Sequence, residues 1–114
     1  MAIDDYAFGR MTIDGRVYTT DLMILPDGRV LSDWWRRRGH AVGAADLEPV
    51  LSCDPAVLVI GTGADGRMHP DPGLPGDLEA RGIRLVAVPT AEAMACFNHL
   101  PPEFRRAAAF HLTC

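Results

Sequence analysis

The sequence has 114 residues and no lysine, so its eleven cationic side chains are all arginine. Fifteen acidic residues outnumber them and give a formal net charge of −4. An acidic chain argues against a general nucleic-acid-binding protein. We attribute the absence of lysine to coding bias, because exposed positions accept either cation.

Three further features are missing. The three cysteines, Cys53, Cys96 and Cys114, are too few and too unevenly spaced for a disulfide framework, which favours the reducing cytoplasm. The acidic N-terminus lacks the apolar segment of a signal peptide, and no run approaches the roughly 18 apolar residues of a membrane span. Because 48% of the residues are hydrophobic, we expect one soluble, cytoplasmic domain over residues 1–114.

The first third of the chain has the pattern of β-structure. Asp14-Gly15 separates two short alternating segments, which predicts a hairpin with a type I′ turn. Pro26-Asp27-Gly28 predicts a second turn. We therefore expect a meander of four short strands over residues 7–35, namely Phe8–Ile13, Val17–Thr20, Leu22–Leu25 and Val30–Trp35.

From Ala41 onward the pattern alternates between helix and strand. The continuous apolar run 56–60 predicts a buried strand, and residues 83–88 are expected to form a second buried strand. The expected helices are 46–52, 78–81 and 90–100, the last with Thr90 as its N-cap, and the proline-rich segment 69–77 is expected to be a loop. This order predicts an α/β fold with a largely parallel sheet, which the meander extends or covers with an antiparallel layer.

The last eleven residues, 104–114, have two possible structures. Ala107-Ala108-Ala109 favours a helix by intrinsic propensity. A final strand over residues 105–112, paired into the sheet, is the alternative. Composition alone prefers the helix.

Gly61-Thr62-Gly63-Ala64-Asp65-Gly66 matches the glycine pattern of a dinucleotide-binding turn directly after a buried strand. The context does not fit, because the following segment is rich in proline where a helix is required. In addition, a dinucleotide-binding fold has an acidic residue after the next strand that binds the ribose, and this sequence has Pro89-Thr90 at that place. We therefore predict no cofactor. A small anion or polar ligand at this loop agrees better with the sequence.

The segment Trp34-Trp35-Arg36-Arg37-Arg38-Gly39-His40 forms a basic patch. Residues 29–40 contain four arginines and one acid, a local net charge of +3. Arginine beside tryptophan is typical of phosphate or carboxylate recognition. The alternative is a strand end with one tryptophan packed inside and a solvated charge run, because successive side chains of a strand point in opposite directions.

Cys96-x-x-His99 and His111-x-x-Cys114 have the pair spacing of zinc ligands. Whether these residues could bind one zinc ion depends on the structure of residues 104–114. If that segment is a strand, His111 and Cys114 point to opposite faces and cannot both bind the same ion. We predict no metal site. No hydrolase or P-loop motif is found in the sequence, so catalysis is uncertain and a non-enzymatic role is favoured.

Taken in order, these motifs resemble a known family. They are Phe8-Gly9 and the hairpin after it, Asp21-Leu22-Met23-Ile24, Trp35-Arg36, Gly39-His40, Gly61-Thr62-Gly63, Thr90-x-Glu92-Ala93, Asn98 and His111-Leu112-Thr113-Cys114. The chain resembles the small α/β domain family of the mitochondrial respiratory complex I assembly factor three and the adipogenesis-associated domain protein. The resemblance covers almost the whole chain.

The resemblance implies a three-layer α/β fold, with a mixed central sheet and an additional antiparallel β layer from the N-terminal meander. It also implies that the tail is a strand. It further implies one pocket that brings together nine residues: Trp35, Arg36, His40, Gly61, Thr62, Gly63, Thr90, Glu92 and Asn98.

We therefore predict a non-enzymatic accessory domain, similar to an assembly factor, that binds a protein partner and a small anionic ligand. The resemblance suggests a membrane respiratory complex as the source of that partner. The alternative is a small-molecule-binding protein or enzyme that uses the Gly61–Gly63 loop and Arg36.

Overall fold

The elements follow one another along residues 2–37 and 40–114, the part of the chain that the computed structural model describes. The strands are β1 (Ile3–Ala7), β2 (Arg10–Ile13), β3 (Arg16–Tyr18), β4 (Leu22–Ile24), β5 (Val30–Leu31), β6 (Ala41–Val42), β7 (Val57–Thr62), β8 (His69–Pro70), β9 (Arg84–Val88) and β10 (Arg106–His111). The α-helices are α1 (Glu48–Leu51), α2 (Leu74–Ala80) and α3 (Thr90–His99), with 3-10 helices at Ala44–Leu47 and Pro102–Phe104.

A five-stranded mixed sheet in the order β5-β4-β10-β7-β9 lies at the centre of the protein. β10 is the middle strand, parallel to β7 and antiparallel to β4. The first three strands form a separate antiparallel sheet, and β6 pairs with β8. The expected fold class, a mixed central sheet with an additional antiparallel β layer, is thus confirmed.

The two faces of the central sheet carry separate hydrophobic cores, because side chains alternate along a strand. Leu58 and Ile60 of β7 face a core that includes residues of α1 and α2. Val57 and Val59 face the other core, which includes Phe97 of α3 and residues of β1 and β2. Both faces of β7 are therefore buried, which explains the continuous apolar run in its sequence.

The N-terminal meander differs from the expectation in its pairing. The hairpin at Asp14-Gly15 is confirmed, and both turn residues have positive φ, 49° and 81°. β1, a strand missing from the expected meander, pairs with β2 and forms one edge of the separate sheet. β4 and β5 pair with each other but belong to the central sheet, so only part of the meander forms the additional layer.

Several expected boundaries shift. The predicted helix 46–52 is a 3-10 helix followed by α1, and the expected loop 69–77 contains β8 and the first half of α2. Pro75 fits in α2 because it lies in the first turn, where no backbone donor is needed. No helix within the described residues is long and apolar enough to cross a membrane.

The helix that composition favours for the tail is wrong, because residues 106–111 form β10. All six residues of β10 are buried. Small alanine side chains fit in a central strand between two cores, and this packing outweighs their helix propensity.

Candidate functional site

Asp21, Arg36 and His111 meet at one end of the central sheet. The register explains the first contact: Phe110 of β10 faces Leu22 of β4 across an antiparallel pair. The residue before Leu22 and the residue after Phe110 are therefore neighbours, although 90 positions separate them in the chain. Arg36 reaches the same place from the segment that follows β5.

The carboxylate of Asp21 accepts three hydrogen bonds. Its Oδ2 lies 2.8 Å from Arg36 Nη1 and 2.8 Å from His111 Nδ1, and its Oδ1 accepts the Leu112 N–H at 2.8 Å. Burial raises the pKa of Asp21, but the hydrogen bonds from His111, Leu112 and Arg36 outweigh it, so the pKa lies below its usual range. Asp21 is therefore an ionised carboxylate at neutral pH.

Arg36 is turned into the protein. Its side chain is only 6% exposed, forms the ion pair with Asp21, and stacks over the Trp34 ring at 4.9 Å. Trp34 is itself buried and donates Nε1–H to the Asp46 carbonyl at 2.9 Å. The expected basic patch is thus divided, because Arg36 lies inside, Arg37 is exposed, and Arg38 lies outside the described residues.

Trp35, by contrast, is 82% exposed. It borders a cavity of about 300 Å³, lined also by residues from the connection between β3 and β4, the segment after β5 and the end of β10. The lining residues are Thr19, Thr20, Asp21, Asp33, Trp34, Trp35, Arg36, His111 and Thr113. His40 adjoins this group, since its ring packs edge-to-face against His111 at 5.8 Å.

The Gly61–Gly63 loop lies behind the site and its backbone is bonded within the protein. The Gly63 N–H donates to Thr90 Oγ1 at 2.9 Å, and the Ala64 N–H donates to the Thr113 carbonyl at 2.7 Å. The Met68 N–H donates to the Thr62 carbonyl at 3.0 Å. These donors are thus already used, whereas a phosphate-binding loop directs its amides to the ligand.

Thr90 connects this loop to β10 rather than capping α3. Its hydroxyl accepts the Gly63 N–H and donates to the His111 carbonyl at 2.6 Å. The N-cap of α3 is Pro89, so the predicted capping role of Thr90 is wrong. Gly61 is needed here because an added Cβ would lie 2.6 Å from Phe110 Cδ1 and 2.9 Å from Thr90 Oγ1.

The nine predicted site residues do not all have the same surroundings. Trp35, Arg36 and His40 border the cavity or His111, while Gly61, Thr62, Gly63 and Thr90 form the frame behind it. Glu92 is exposed on the first turn of α3. Asn98 bonds both backbone groups of Ile3, accepting its N–H at 2.9 Å and donating to its carbonyl at 2.8 Å, which ties α3 to β1.

Two central residues, Asp21 and His111, are absent from the predicted site. A signal for both is visible in the sequence, because each is a polar residue directly next to a buried apolar run. Tyr6 is a third neighbour, whose hydroxyl donates to the Leu112 carbonyl at 2.8 Å. Burial and the charges of Asp21 and Asp65 raise the pKa of Tyr6.

Within residues 2–37 and 40–114, no group of three or more His, Cys, Asp or Glu side chains is placed to hold a metal ion. Cys96 and His99 lie on α3, on the far side of β7 and β10 from α1 and α2. The Nδ1 atom of His111 is already bonded to Asp21.

A family model described as a protein of unknown function, DUF498/DUF598, matches residues 3–112. The chain belongs to this family. The match spans all ten strands, including the site at the end of β10.

Solved structures similar to this DUF498/DUF598 member agree with its fold. A conserved hypothetical protein of Pyrococcus horikoshii is 29% identical, with both chains covered completely and a TM-score of 0.88. A Xanthomonas campestris protein is 25% identical, with 97% of this chain and 83% of that chain covered and a TM-score of 0.81. A Bordetella pertussis protein described as an Mth938-like domain is 18% identical, covers 97% of this chain and 85% of its own, and has a TM-score of 0.64, which shows the fold alone.

Proposed function

We propose that this protein is a non-enzymatic accessory domain that binds a partner protein through the surface around Trp35. The observation that carries the proposal is the 82% exposure of a tryptophan whose two neighbours both have buried side chains. Contact between the apolar surface of an exposed tryptophan and water is unfavourable, so burying this surface against a partner is favourable. Tryptophan is also enriched among the residues that dominate binding at protein interfaces.

The backbone on both sides of Trp35 is held in place. The Asp33 N–H donates to Thr20 Oγ1 at 2.8 Å and the Trp34 N–H to the Asp21 carbonyl at 2.9 Å. On the other side, Arg36 pairs with Asp21, and the Arg37 N–H donates to Asp46 Oδ1 at 3.1 Å. An aromatic side chain presented on an ordered backbone loses less entropy on binding, which favours a docking role.

A second exposed aromatic residue, Phe8, belongs to the same end of the molecule. It is 65% exposed and precedes Gly9, whose N–H donates to the Leu112 carbonyl at 2.8 Å. The next residue, Thr113, lines the cavity beside Trp35. We refer to Phe8, Trp35 and Thr113 as the Trp35 surface.

The resemblance to respiratory complex I assembly factors suggests the class of partner, a subunit of a membrane respiratory complex. The family match itself names no partner. The cytoplasmic location that we propose is supported by the three cysteines, none of which is paired in a disulfide.

The experiment compares capture of partners by the wild type, Trp35→Ala and the matched control Phe104→Ala from mildly solubilised membranes of the native organism. Phe104 is 54% exposed and lies away from the Trp35 surface, in the 3-10 helix before β10. We expect the wild type and Phe104→Ala to enrich the same protein and Trp35→Ala to lose it. Equal recovery with Trp35→Ala, or no specific protein with any variant, would contradict the proposal.

A small ligand in the cavity beside Trp35 is a second proposal, favoured by the volume of about 300 Å³ and by the few polar groups on its mainly apolar surface. The sequence predicts an anion held by Arg36. In the folded protein an anion would compete with Asp21 for that guanidinium, because the two side chains already form an ion pair. Thermal-shift measurements with phosphates, nucleotides and carboxylates test whether the cavity binds an anion. Binding of an anion requires that one of these compounds raise the melting temperature of the protein.

A further inference from the structure

The two ring nitrogens of His111 have different surroundings. Its side chain is 7% exposed, and Nδ1 lies 2.8 Å from Asp21 Oδ2. An ionised carboxylate can only accept, so the neutral tautomer of His111 that fits this contact carries its proton on Nδ1, and Arg36 Nη2, 3.2 Å from the same nitrogen, is then a neighbour and not its donor. In that tautomer Nε2 is a hydrogen-bond acceptor.

Nε2 is buried and has no hydrogen-bond partner among residues 2–37 and 40–114. A buried acceptor that lacks a donor destabilises the folded protein, and such atoms are rare in folded proteins. His111 also lines the cavity beside Trp35. A donor that enters from this cavity would therefore satisfy the acceptor.

The charges around His111 favour an uncharged donor. Asp21 and Arg36 neutralise each other at 2.8 Å, and among the lining residues within 2–37 and 40–114 the other carboxylate is that of Asp33. An added anion would face Asp33 and would also compete for Arg36. An alcohol, amide or heteroaromatic N–H adds no charge and supplies the donor that Nε2 needs.

We propose that the cavity binds an uncharged, planar ligand whose N–H or O–H donates to His111 Nε2 and whose ring stacks on Trp35. The volume of about 300 Å³ suits a small ligand with a single ring. Stacking uses the exposed indole face of Trp35. The exposed His40 ring packs edge-to-face against His111 at the same place. This inference rests on the second proposal above, that the cavity binds a small ligand.

The test uses three probes of similar size: benzamide, which donates N–H, N,N-dimethylbenzamide, which does not, and the anion benzoate. Binding to the ¹⁵N-labelled protein is followed by NMR, including the imidazole nitrogens of His111. We expect the Nδ1–H tautomer in the ligand-free protein and a shift of the Nε2 resonance with benzamide. Both other probes should bind at least tenfold more weakly, which corresponds to about 1.4 kcal/mol.

The variant His111→Asn tests the contribution of Nε2 alone. Its side-chain amide keeps an N–H for Asp21 but has no atom at the position of Nε2. We expect it to bind benzamide at least tenfold more weakly than the wild type. The control His99→Asn, at an exposed position of α3, should bind as the wild type does.

Three results would overturn the inference: the Nε2–H tautomer in the wild type, equal binding of benzamide and its dimethyl derivative, or no binding of benzamide. The first two need no variant, so they apply even where His111→Asn fails to fold. If benzoate binds and benzamide does not, the cavity is a ligand site but the ligand class is wrong. If no probe binds, both the ligand class and the small-ligand proposal fail, and Trp35-dependent capture of a partner is tested separately.

Discussion

At the scale of single residues, the site depends on polar side chains that each satisfy more than one backbone or side-chain group. Asp21 accepts from Arg36, His111 and the Leu112 N–H. Thr90 bonds Gly63 and His111 with one hydroxyl. Removal of such a group leaves several buried partners without a hydrogen bond. Substitutions here should therefore lower the free energy of unfolding by more than the number of atoms removed would suggest.

Asp21→Asn should destabilise the protein in a pH-dependent manner. The pKa of Asp21 is lowered in the folded state by its hydrogen bonds, although burial opposes this. The carboxylate therefore stabilises the fold above its unfolded pKa of about 3.9, and this contribution disappears as the pH falls through the lower folded pKa. We expect Asp21→Asn to lose about 1–3 kcal/mol at pH 7 and to approach the wild type in acid.

Urea unfolding at several pH values measures this difference, with Asp27→Asn as the control. Asp27 also has a lowered pKa, mainly from the Arg29 N–H, but it is exposed at a turn. Its substitution should have a small effect. A constant difference between Asp21→Asn and the wild type across the whole pH range would contradict the role of the ionised carboxylate.

Thr90→Val should destabilise the protein much more than Thr90→Ser. Valine has a similar shape but leaves the Gly63 N–H and the His111 carbonyl without their partner, at about 1–3 kcal/mol for each. Serine keeps the hydroxyl and loses only a methyl group. Urea midpoints of the three proteins test this expectation, and equal midpoints for the valine and serine variants would exclude the proposed bridge.

At the scale of elements, β10 shows where local propensity fails. The alanine run 107–109 is helix-forming in isolation, but each alanine is fully buried between two cores. Nothing within residues 104–114 specifies this position, because β4 and β7, which pair with β10, are distant in sequence. The resemblance to a family predicts the strand, whereas intrinsic propensity does not.

Ala108→Leu should destabilise the protein by about 1–3 kcal/mol, because extra methyl groups in a packed core force neighbours apart. Ala108 faces Ile24 and Val59 in its strand pairs and is fully buried. Ala95→Leu, at an exposed position of α3, is the matched control and should be nearly neutral. Thermal and urea unfolding measure both. A neutral Ala108→Leu would indicate unused space around β10.

The sequence predicts β7 well because its apolar run is continuous, and the Asp14-Gly15 turn because few residues adopt positive φ. β9 also forms where a strand is expected, but its expected burial is wrong, because β9 lies at the edge of the sheet and its residues are exposed or half-buried. Arg36 and His40 are predicted beside the cavity, but the inward ion pair of Arg36 is not. That pair requires Asp21, whose position depends on the register between β4 and β10. Contacts across 90 residues leave no local pattern from which to predict them.

At the scale of the whole molecule, the central sheet depends on one strand. β4 and β7 are not neighbours, and each pairs with β10. β10 also supplies Ala107 and Ala109 to one core and Ala108 and Phe110 to the other. Without it, the sheet separates into two pairs of strands and both cores are opened.

A chain that ends at Arg105 should therefore show no cooperative unfolding transition. A chain that ends at Leu112 keeps β10 and loses the Thr113 carbonyl that accepts the Ala64 N–H. We expect it to unfold cooperatively at a lower midpoint than the wild type. Circular dichroism and NMR dispersion distinguish the two, and a folded chain without residues 106–114 would refute the central role of β10.

The late position of the central strand also has a consequence for synthesis in the cell. A ribosome releases β4 and β7 well before the strand that joins them, and translation proceeds at about 5–20 residues per second. During that interval the nascent chain exposes apolar strand faces and unpaired edges, the features that favour aggregation. The central sheet therefore cannot be completed before β10 has been synthesised, and we expect the unfinished chain to need protection from aggregation until then.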